Sequence, residues 1–420
     1  MRLMEYLQRV TDQELSRHLA ALGAVLIEGP KACGKTATAT RHASTVFTMD
    51  DDDAAVTLLN HAPDQLFSHP TPILFDEWQA QPSLWNKVRR QVDQRASKGQ
   101  FILTGSATPQ DDVSRHSGAG RFARLHMRPM SLFESGHSTG EMSLQALCTG
   151  QSQKGDGRGL DFTTLTQRIV AGGWPELIHA EEDQARNWLD SYITTALEID
   201  VPRLGIRRQP QNLRRLLSSL ARNTGTAVRS IDLARDVGGD HGPIASATLA
   251  AYLDALSRLN LIEDSPAWLP HMRSRTRLRQ APVRYLVDPS LGLAALEVGS
   301  AELTADRQAL GLQFEALAIR DLRIYAQAMQ RRGKVYSWRD SNGREVDAIV
   351  DAGFNAWAAF EIKLNTQQVD QAASSLLNFA ASVDTAQHGK PACLAVITSD
   401  GYGYQRPDGV HVIPIGALGP

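Results

Sequence analysis

Three groups of residues have the types and spacing to do chemistry. The first is Gly29-Pro30-Lys31-Ala32-Cys33-Gly34-Lys35-Thr36, followed by Ala37, which fits G-x-x-x-x-G-K-[ST] at every fixed position. Its two glycines let the backbone bend until N–H groups point inward, and a helix opening at Lys35 adds a dipole that favours anions. That is a phosphate cradle. Lys35 is expected on the β- and γ-phosphates of ATP and the Thr36 hydroxyl on Mg²⁺. The second group is Asp76 and Glu77, at the end of the apolar run TPILFDEW. Asp76 is expected to hold the Mg²⁺ shell, and Glu77 to orient and polarise the attacking water. The third group is Asp347, Glu361 and Lys363. Two acids and a lysine brought together make a metal site able to cut a phosphodiester. The same charges also suit an ordinary sheet edge.

These side chains need elements to position them. AVLI predicts a strand before the loop, and KTATATRHA a helix after it. ILFD is a short buried strand, whose carboxyl end is where parallel sheets bind ligands. QFILTGS is a third strand, following the helix-like SLWNKVRRQVDQRASKG. Thr104 and Ser106 at its end fit either a γ-phosphate sensor or a plain polar terminus. TVFTMDDDD supplies another strand, with Asp50 to Asp53 better suited to helix capping than to metal binding. Near the other end, QFEALAIRDLRIYAQAMQ predicts an amphipathic helix. Its Glu315 is expected to be exposed, with a fourth metal ligand as the alternative. KVYSWRD, the turn SNG, REVDAIVDA and WAAFEIKL then predict three strands, and CLAVITSD a fourth after a helix. Glu361 and Lys363 stand two apart on one of these strands and so share a face.

Between the two ends, CTGQSQKGDGRGLD predicts a loop or linker, and LTQRIVAGG with QARNWLDSYITTALEID predicts helices packed as a lid. From Arg203 to Arg229 there are seven arginines and no acid. QNLRRLLSSLARN, SIDLARDVG and ASATLAAYLDALSRLNLI give the helix, short helix, longer helix order of a helix-turn-helix. RSRTRLR then places Arg273, Arg275, Arg277 and Arg279 on one face at strand period, as a wing would. Such a local basic face predicts DNA as a partner. A solvated helical subdomain and a protein-binding winged helix are the alternatives.

The strand–loop–helix start, ILFDEW, FILTGS and SGAGRFARLHMRPMSLFES, with AGGWPE and YITTALEIDVPRLG further on, resemble a group of prokaryotic AAA+-type ATPases. In that group a C-terminal domain of unknown function follows the ATPase. The resemblance covers nearly the whole chain and implies an ATPase coupled to a DNA-directed module. It implies an arginine acting on a neighbouring subunit's nucleotide, for which Arg121 is the candidate and Arg115 and Arg124 the rivals, and hence a homo-oligomer. The C-terminal order resembles a restriction-endonuclease-like domain, and Asp347 with Glu361-Ile362-Lys363 resembles its PD-(D/E)XK signature. That resemblance implies Asp347 and Glu361 as Mg²⁺ ligands and Lys363 as the residue that positions or activates water. The signature's proline is absent, since Val346 precedes Asp347.

Bulk properties bound the rest. The 420 residues exceed one core, so several domains are expected. We place a P-loop ATPase at 1–147, a linker and helical lid at 148–202, a winged helix-turn-helix at 203–300 and a nuclease-like domain at 301–420. The fold class is α/β with a helical middle. A net charge of -2 gives no global pull on nucleic acid, so binding must be local. The three cysteines are too scattered for a disulfide framework or zinc site. No apolar run suits a membrane span or signal peptide, which predicts a cytoplasmic protein. The function expected is a Mg²⁺-dependent ATPase acting on nucleic acid. The alternative is a nucleotide-switched binding or regulatory protein with a catalytically silent nuclease-like interaction domain. The protein partner is left open.

Overall fold

A computed structural model of the chain describes residues 6–105, 118–205, 209–268, 282–340, 343–353 and 356–420. The chain divides into two compact units, residues 1–129 with 258–260, and residues 130–257 with 261–420. Among the described residues, no helix is long and apolar enough to cross a membrane.

The first unit is built on five parallel strands: β1 Ala24–Glu28, β2 Thr45–Thr48, β3 Ile73–Asp76, β4 Phe101–Gly105 and β5 Phe122–His126. Their order across the sheet is β2-β3-β4-β1-β5. The central strands β1, β3 and β4 are almost wholly apolar and buried, as a parallel sheet covered on both faces requires. The edge strands β2 and β5 alternate instead. Helices α1 Thr11–Ala21, α2 Lys35–His42, α3 Asp53–His61, α4 Pro63–Phe67 and α5 Ser83–Arg95 connect and cover them. The acidic run after β2 does cap a helix: Asp52 accepts from the Ala55 N–H at the start of α3. Because β4 inserts between β1 and β3, its end stands between the phosphate loop and Asp76.

The second unit opens with β6 Met142–Ser143, α6 Leu144–Cys148 and β7 Gly155–Asp156. It continues through α7 Phe162–Ala171 and α8 Glu182–Thr195 to a π-helical turn, Ala196–Asp200, and α9 Val201–Arg203. The stretch 148–161, expected as a linker, contributes β7, which pairs with a C-terminal strand. The helix-turn-helix order is present as α10 Pro210–Arg222, α11 Ser230–Gly238 and α12 Ser246–Arg258. An antiparallel pair follows, β8 Ile262–Ser265 with β9 Val283–Leu286, where a winged helix carries its wing.

Helices α13 Pro289–Ala295, α14 Ser300–Ala305 and α15 Arg307–Ala328 lead to strands β10 Lys334–Arg339, β11 Glu345–Gly353 and β12 Ala356–Lys363. Helices α16 Val369–Ser382 and α17 Thr385–His388 precede β13 Cys393–Thr398, β14 Tyr402–Gln405, β15 His411–Pro414 and β16 Leu418–Gly419. The order β10-β11-β12-β13-β15-β14-β7 forms one sheet, with β10 to β12 antiparallel and β12, β13 and β15 parallel.

The motif AGGWPE serves this unit's packing. A Cβ on Gly173 would stand 2.0 Å from the Met130 carbonyl oxygen, so only glycine fits. The Gly173 N–H donates to Asp288, whose carboxylate also takes the buried Arg320 guanidinium at 2.7 Å. Arg320 in turn pairs with buried Asp321, which accepts from the Leu132 N–H. Each buried charge is thus paired and hydrogen-bonded, as burial demands.

Candidate active site

The phosphate loop runs from the end of β1 to α2. Gly34 holds φ +99°, the left-handed region where glycine carries no steric penalty, and it turns the chain into the helix. Gly29 lies against β5: a Cβ there would sit 2.1 Å from the Met127 carbonyl oxygen. Both glycines of the motif are therefore dictated by backbone geometry. Lys35 is buried, and its Nζ donates to the carbonyls of Gly29 at 3.0 Å and Pro30 at 2.7 Å. The lysine folds back over the loop with its charge at the cradle's mouth. The first-turn N–H groups of α2, from Lys35 through Ala37, have no acceptor inside the helix and suit an anion.

Three strand ends converge beside this loop. The Thr36 hydroxyl lies 3.0 Å from both carboxylate oxygens of Asp76 and donates to them. The Thr104 hydroxyl, from the end of β4, also donates to Asp76. Thr104 and Asp76 are both buried, so β4 reads the carboxylate rather than ending in solvent. Ser106 lies outside the described residues. Glu77 is half-buried and holds φ +48°, ψ +44°. A non-glycine residue in that region is strained, and such strain gathers where a side chain must be aimed. Its carboxylate accepts from the Gln79 side-chain amide.

At the other end, Asp347, Glu361 and Lys363 do come together, on the paired strands β11 and β12. The Lys363 Nζ lies 2.6 Å from Glu361 and 3.0 Å from Asp347, and Asp347 also accepts from the Ile362 N–H at 2.7 Å. Burial, then the Asp347 carboxylate, push Glu361 up to about 7, against the pull of Lys363. Burial works against the Lys363 charge, yet the two carboxylates hold the group above the usual lysine range. Glu315, expected to be exposed, is instead only partly accessible and takes the Tyr285 hydroxyl at 2.7 Å. Burial and then Asp347 raise it well above the carboxylate range. The cause is the turn after α10 and strand β9, which cover this end of α15: a Cβ on Gly225 would stand 2.6 Å from the Glu315 carboxylate. A cavity of about 250 Å³ opens there, walled by Tyr285, Glu315, Trp338 and Asp347. Among the described residues, no three His, Cys, Asp or Glu side chains gather as a metal site.

Residues 22–135 match the family model described as an AAA domain. That match supports an AAA-type P-loop ATPase for this segment. Residues 162–302 and 310–418 match two domains of unknown function, DUF8612 and DUF4143. Uncharacterized proteins of Mycobacterium bovis and Mycobacterium tuberculosis are each 25% identical over 379 residues, 84% of this chain and 77% of theirs. A Walker-type ATPase of Pyrococcus abyssi is similar at 14% identity and a TM-score of 0.41, over 70% of this chain and 97% of that one. The ORC2 protein of Aeropyrum pernix, in ADPNP–ADP complexes, is similar at 13% identity and a TM-score of 0.28, over 70% and 92%. Both scores are below 0.5, so the assignment stands on the sequence match and the site geometry.

Around the AAA-type domain's own site, the arginines divide. Arg121 stands just before β5, at the end of the sheet away from the phosphate loop, with its carbonyl accepting from the Ala24 N–H. Its side chain is exposed and paired with Asp93 at 2.8 Å, and that bond holds the Asp93 carboxyl below its usual range. Arg124 faces outward from β5, with Glu28 at 3.7 Å. Arg115 lies outside the described residues.

In the second unit, much of the basic run is answered by acids. Arg214 pairs with Asp190 at 3.0 Å, Arg229 with Asp232 at 2.7 Å and Arg203 with Asp200 at 4.0 Å. The exposed face of α12 offers Ser246, Ala247, Ala250, Asp254 and Ser257. Arg207, Arg208 and the wing arginines Arg273, Arg275, Arg277 and Arg279 lie outside the described residues. The sequence pattern did not single out Arg9, a buried side chain held against the phosphate loop. A lone arginine before a helix carries no motif to find it by.

Proposed function

We propose that the chain is a Mg²⁺-dependent ATP hydrolase whose turnover drives a second unit directed at nucleic acid. The observation that carries the hydrolase is the meeting of Thr36, Asp76 and Thr104 beside Lys35, at the carboxyl ends of three adjacent strands. The oxygens of Thr36 and Asp76 fit a hard cation. Magnesium keeps several waters and takes phosphate oxygens, so two protein groups suffice without a cage of acids. Bound there, it would neutralise charge developing on the phosphates. Lys35 and the α2 N–H groups bind and orient the phosphates, and Glu77 orients the water. Arg121, far from its own loop and exposed, suits a role on a neighbouring copy's nucleotide.

Support for nucleic acid comes from the helix-turn-helix order followed by the β8–β9 pair, and from the four arginines that the sequence places between those two strands, the residue type that phosphate contact needs. The test is Mg²⁺-dependent phosphate release from ATP with and without added DNA. Turnover stimulated by DNA supports the coupling, and turnover indifferent to any nucleic acid sinks it.

A specific observation favours the second reading for the C-terminal domain. Lys363 already neutralises both carboxylates that a metal would need. On that reading the domain is nuclease-like in build but silent, and the chain is a nucleotide-switched binding protein.

A further inference from the structure

Arg9 makes a fork between the phosphate loop and the point where the chain leaves the first unit. One guanidinium nitrogen donates to the Cys33 carbonyl at 2.7 Å, and another to the Arg128 carbonyl at 2.8 Å. The side chain is 4% exposed, so both bonds form out of water, where a charged donor counts for more. Its own backbone N–H donates to Asp12 at 2.9 Å, near the start of α1, which fixes the residue's place.

Cys33 and Gly34 share one peptide, and the Thr71–Pro72 bond is the cis bond recorded among the described residues. In a trans peptide the C=O and the following N–H point in opposite directions. Tying the Cys33 carbonyl to Arg9 therefore turns the Gly34 N–H away from Arg9, at the residue that leads into the first turn of α2. The Cys33 thiol reinforces the setting by donating to the Met127 carbonyl at 3.7 Å. A rotated peptide at this position would put a carbonyl oxygen where an anion must sit.

The second prong has its own consequence. Arg128 precedes Pro129, the last residue before the chain enters the second unit. One rigid, planar fork thus spans the phosphate loop and that exit.

We propose that Arg9 is a positioning residue for nucleotide: it holds the Cys33–Gly34 peptide with its N–H toward the phosphates and links the loop's state to the 127–129 exit. This rests on the phosphate-loop reading. The experiment measures Mg²⁺-ATP and ADP affinity by calorimetry, apo melting temperature, and hydrogen exchange of peptides spanning 30–37 and 125–131. The proteins are wild type, Arg9→Gln, Arg9→Lys and Lys35→Ala.

Arg9→Gln should lose roughly ten- to hundredfold in affinity for both nucleotides, the scale of a hydrogen bond to a charged group. Arg9→Lys keeps the charge and one bond and should recover part of that loss. In wild type, ATP should protect both peptides. In both Arg9 variants at saturating ATP, protection should persist at 30–37 and vanish at 125–131. A drop in melting temperature with wild-type affinity and exchange would make Arg9 merely structural and overturn the proposal. If Arg9→Gln does not fold, Arg9→Lys decides alone: two protected peptides, as in wild type, overturn the link. Wild type failing to bind nucleotide, like Lys35→Ala, overturns instead the phosphate-loop reading beneath it.

Discussion

The Thr36 hydroxyl lies 3.0 Å from each carboxylate oxygen of Asp76. A hydroxyl at the head of α2 and a carboxylate at the end of β3 are thereby set against one another by the sheet itself, with Thr104 bracing the acid from β4. Asp76→Asn keeps the shape but removes the negative charge, and its amide nitrogen cannot accept from the Thr36 hydroxyl as the lost carboxylate oxygen did. It should raise the Mg²⁺ concentration needed for half-maximal ATP turnover by about tenfold or more, the usual penalty at a metal's supporting carboxylate. An unchanged Mg²⁺ requirement would remove Asp76 from the metal site.

Binding and chemistry should separate between Lys35 and Glu77. Lys35→Ala removes the charge at the mouth of the loop and should abolish nucleotide binding. Glu77→Gln keeps the strained turn and should bind ATP normally while turning over at least about a hundredfold slower, since only the water's activation is lost. Equal affinity and full turnover in both variants would sink the assignment.

Arg121 offers a test of assembly. Strand β1 has five residues, so its two ends are roughly 13 Å apart at about 3.3 Å per step, and Arg121 stands at the end without the loop. It cannot serve its own nucleotide at that remove. Arg121→Ala should keep ATP binding and lose hydrolysis, and wild-type activity per chain should rise with protein concentration. A fully active monomer at high dilution would exclude the role.

Glu361 should leave a mark on stability. Its folded value is raised from 4.5 to about 7 by burial and by Asp347, so between those pH values the folded chain keeps a proton that the unfolded chain has released. The stability it contributes is fully present below pH 4.5 and is lost as pH rises through about 7. Glu361→Gln removes that titration while leaving Asp347, Lys363, Glu315 and Glu345 in place. Melting curves taken across the window should show the variant gaining on wild type as pH rises. A constant difference would mean that Glu361 is ionised throughout.

The phosphate loop was legible because its chemistry forces residue types: glycine where a Cβ would meet Met127, lysine and threonine at fixed offsets. The αβ order of both units was legible from apolar runs and periodicity. Partnerships across the chain were not. Nothing local to EALAI shows that Gly225 and Tyr285 will cover Glu315, because that contact joins elements far apart in sequence. The same holds for Arg214, whose partner Asp190 lies on another helix and turns an apparent basic face into an ion pair. Charge runs announce a surface, and pairing decides whether its charge is free.

The final prediction concerns that C-terminal cluster, where geometry and chemistry pull apart. Lys363 bridges Glu361 and Asp347, so the two acids converge, yet the ammonium sits where a divalent ion would have to bind. Metal binding would require the lysine to swing away, and the two carboxylates favour the charge already present. Replacing the cation should therefore matter more than adding metal. Lys363→Ala leaves the two carboxyl groups facing one another without the ammonium that bridged them, a costly arrangement unless a proton or metal joins them. That variant should lose stability in EDTA and regain it with Mn²⁺ or Mg²⁺, whereas wild type should be indifferent to either ion. Alongside, wild type, Asp347→Ala and Lys363→Ala are incubated with linear, supercoiled and single-stranded DNA, with divalent metal and with or without ATP. The silent-domain reading expects no cutting by any of them, and ATP hydrolysis intact in all. Cleavage by wild type that both substitutions abolish would restore the nuclease and show that Lys363 yields its place. Cleavage that survives both would move the active site elsewhere in the chain.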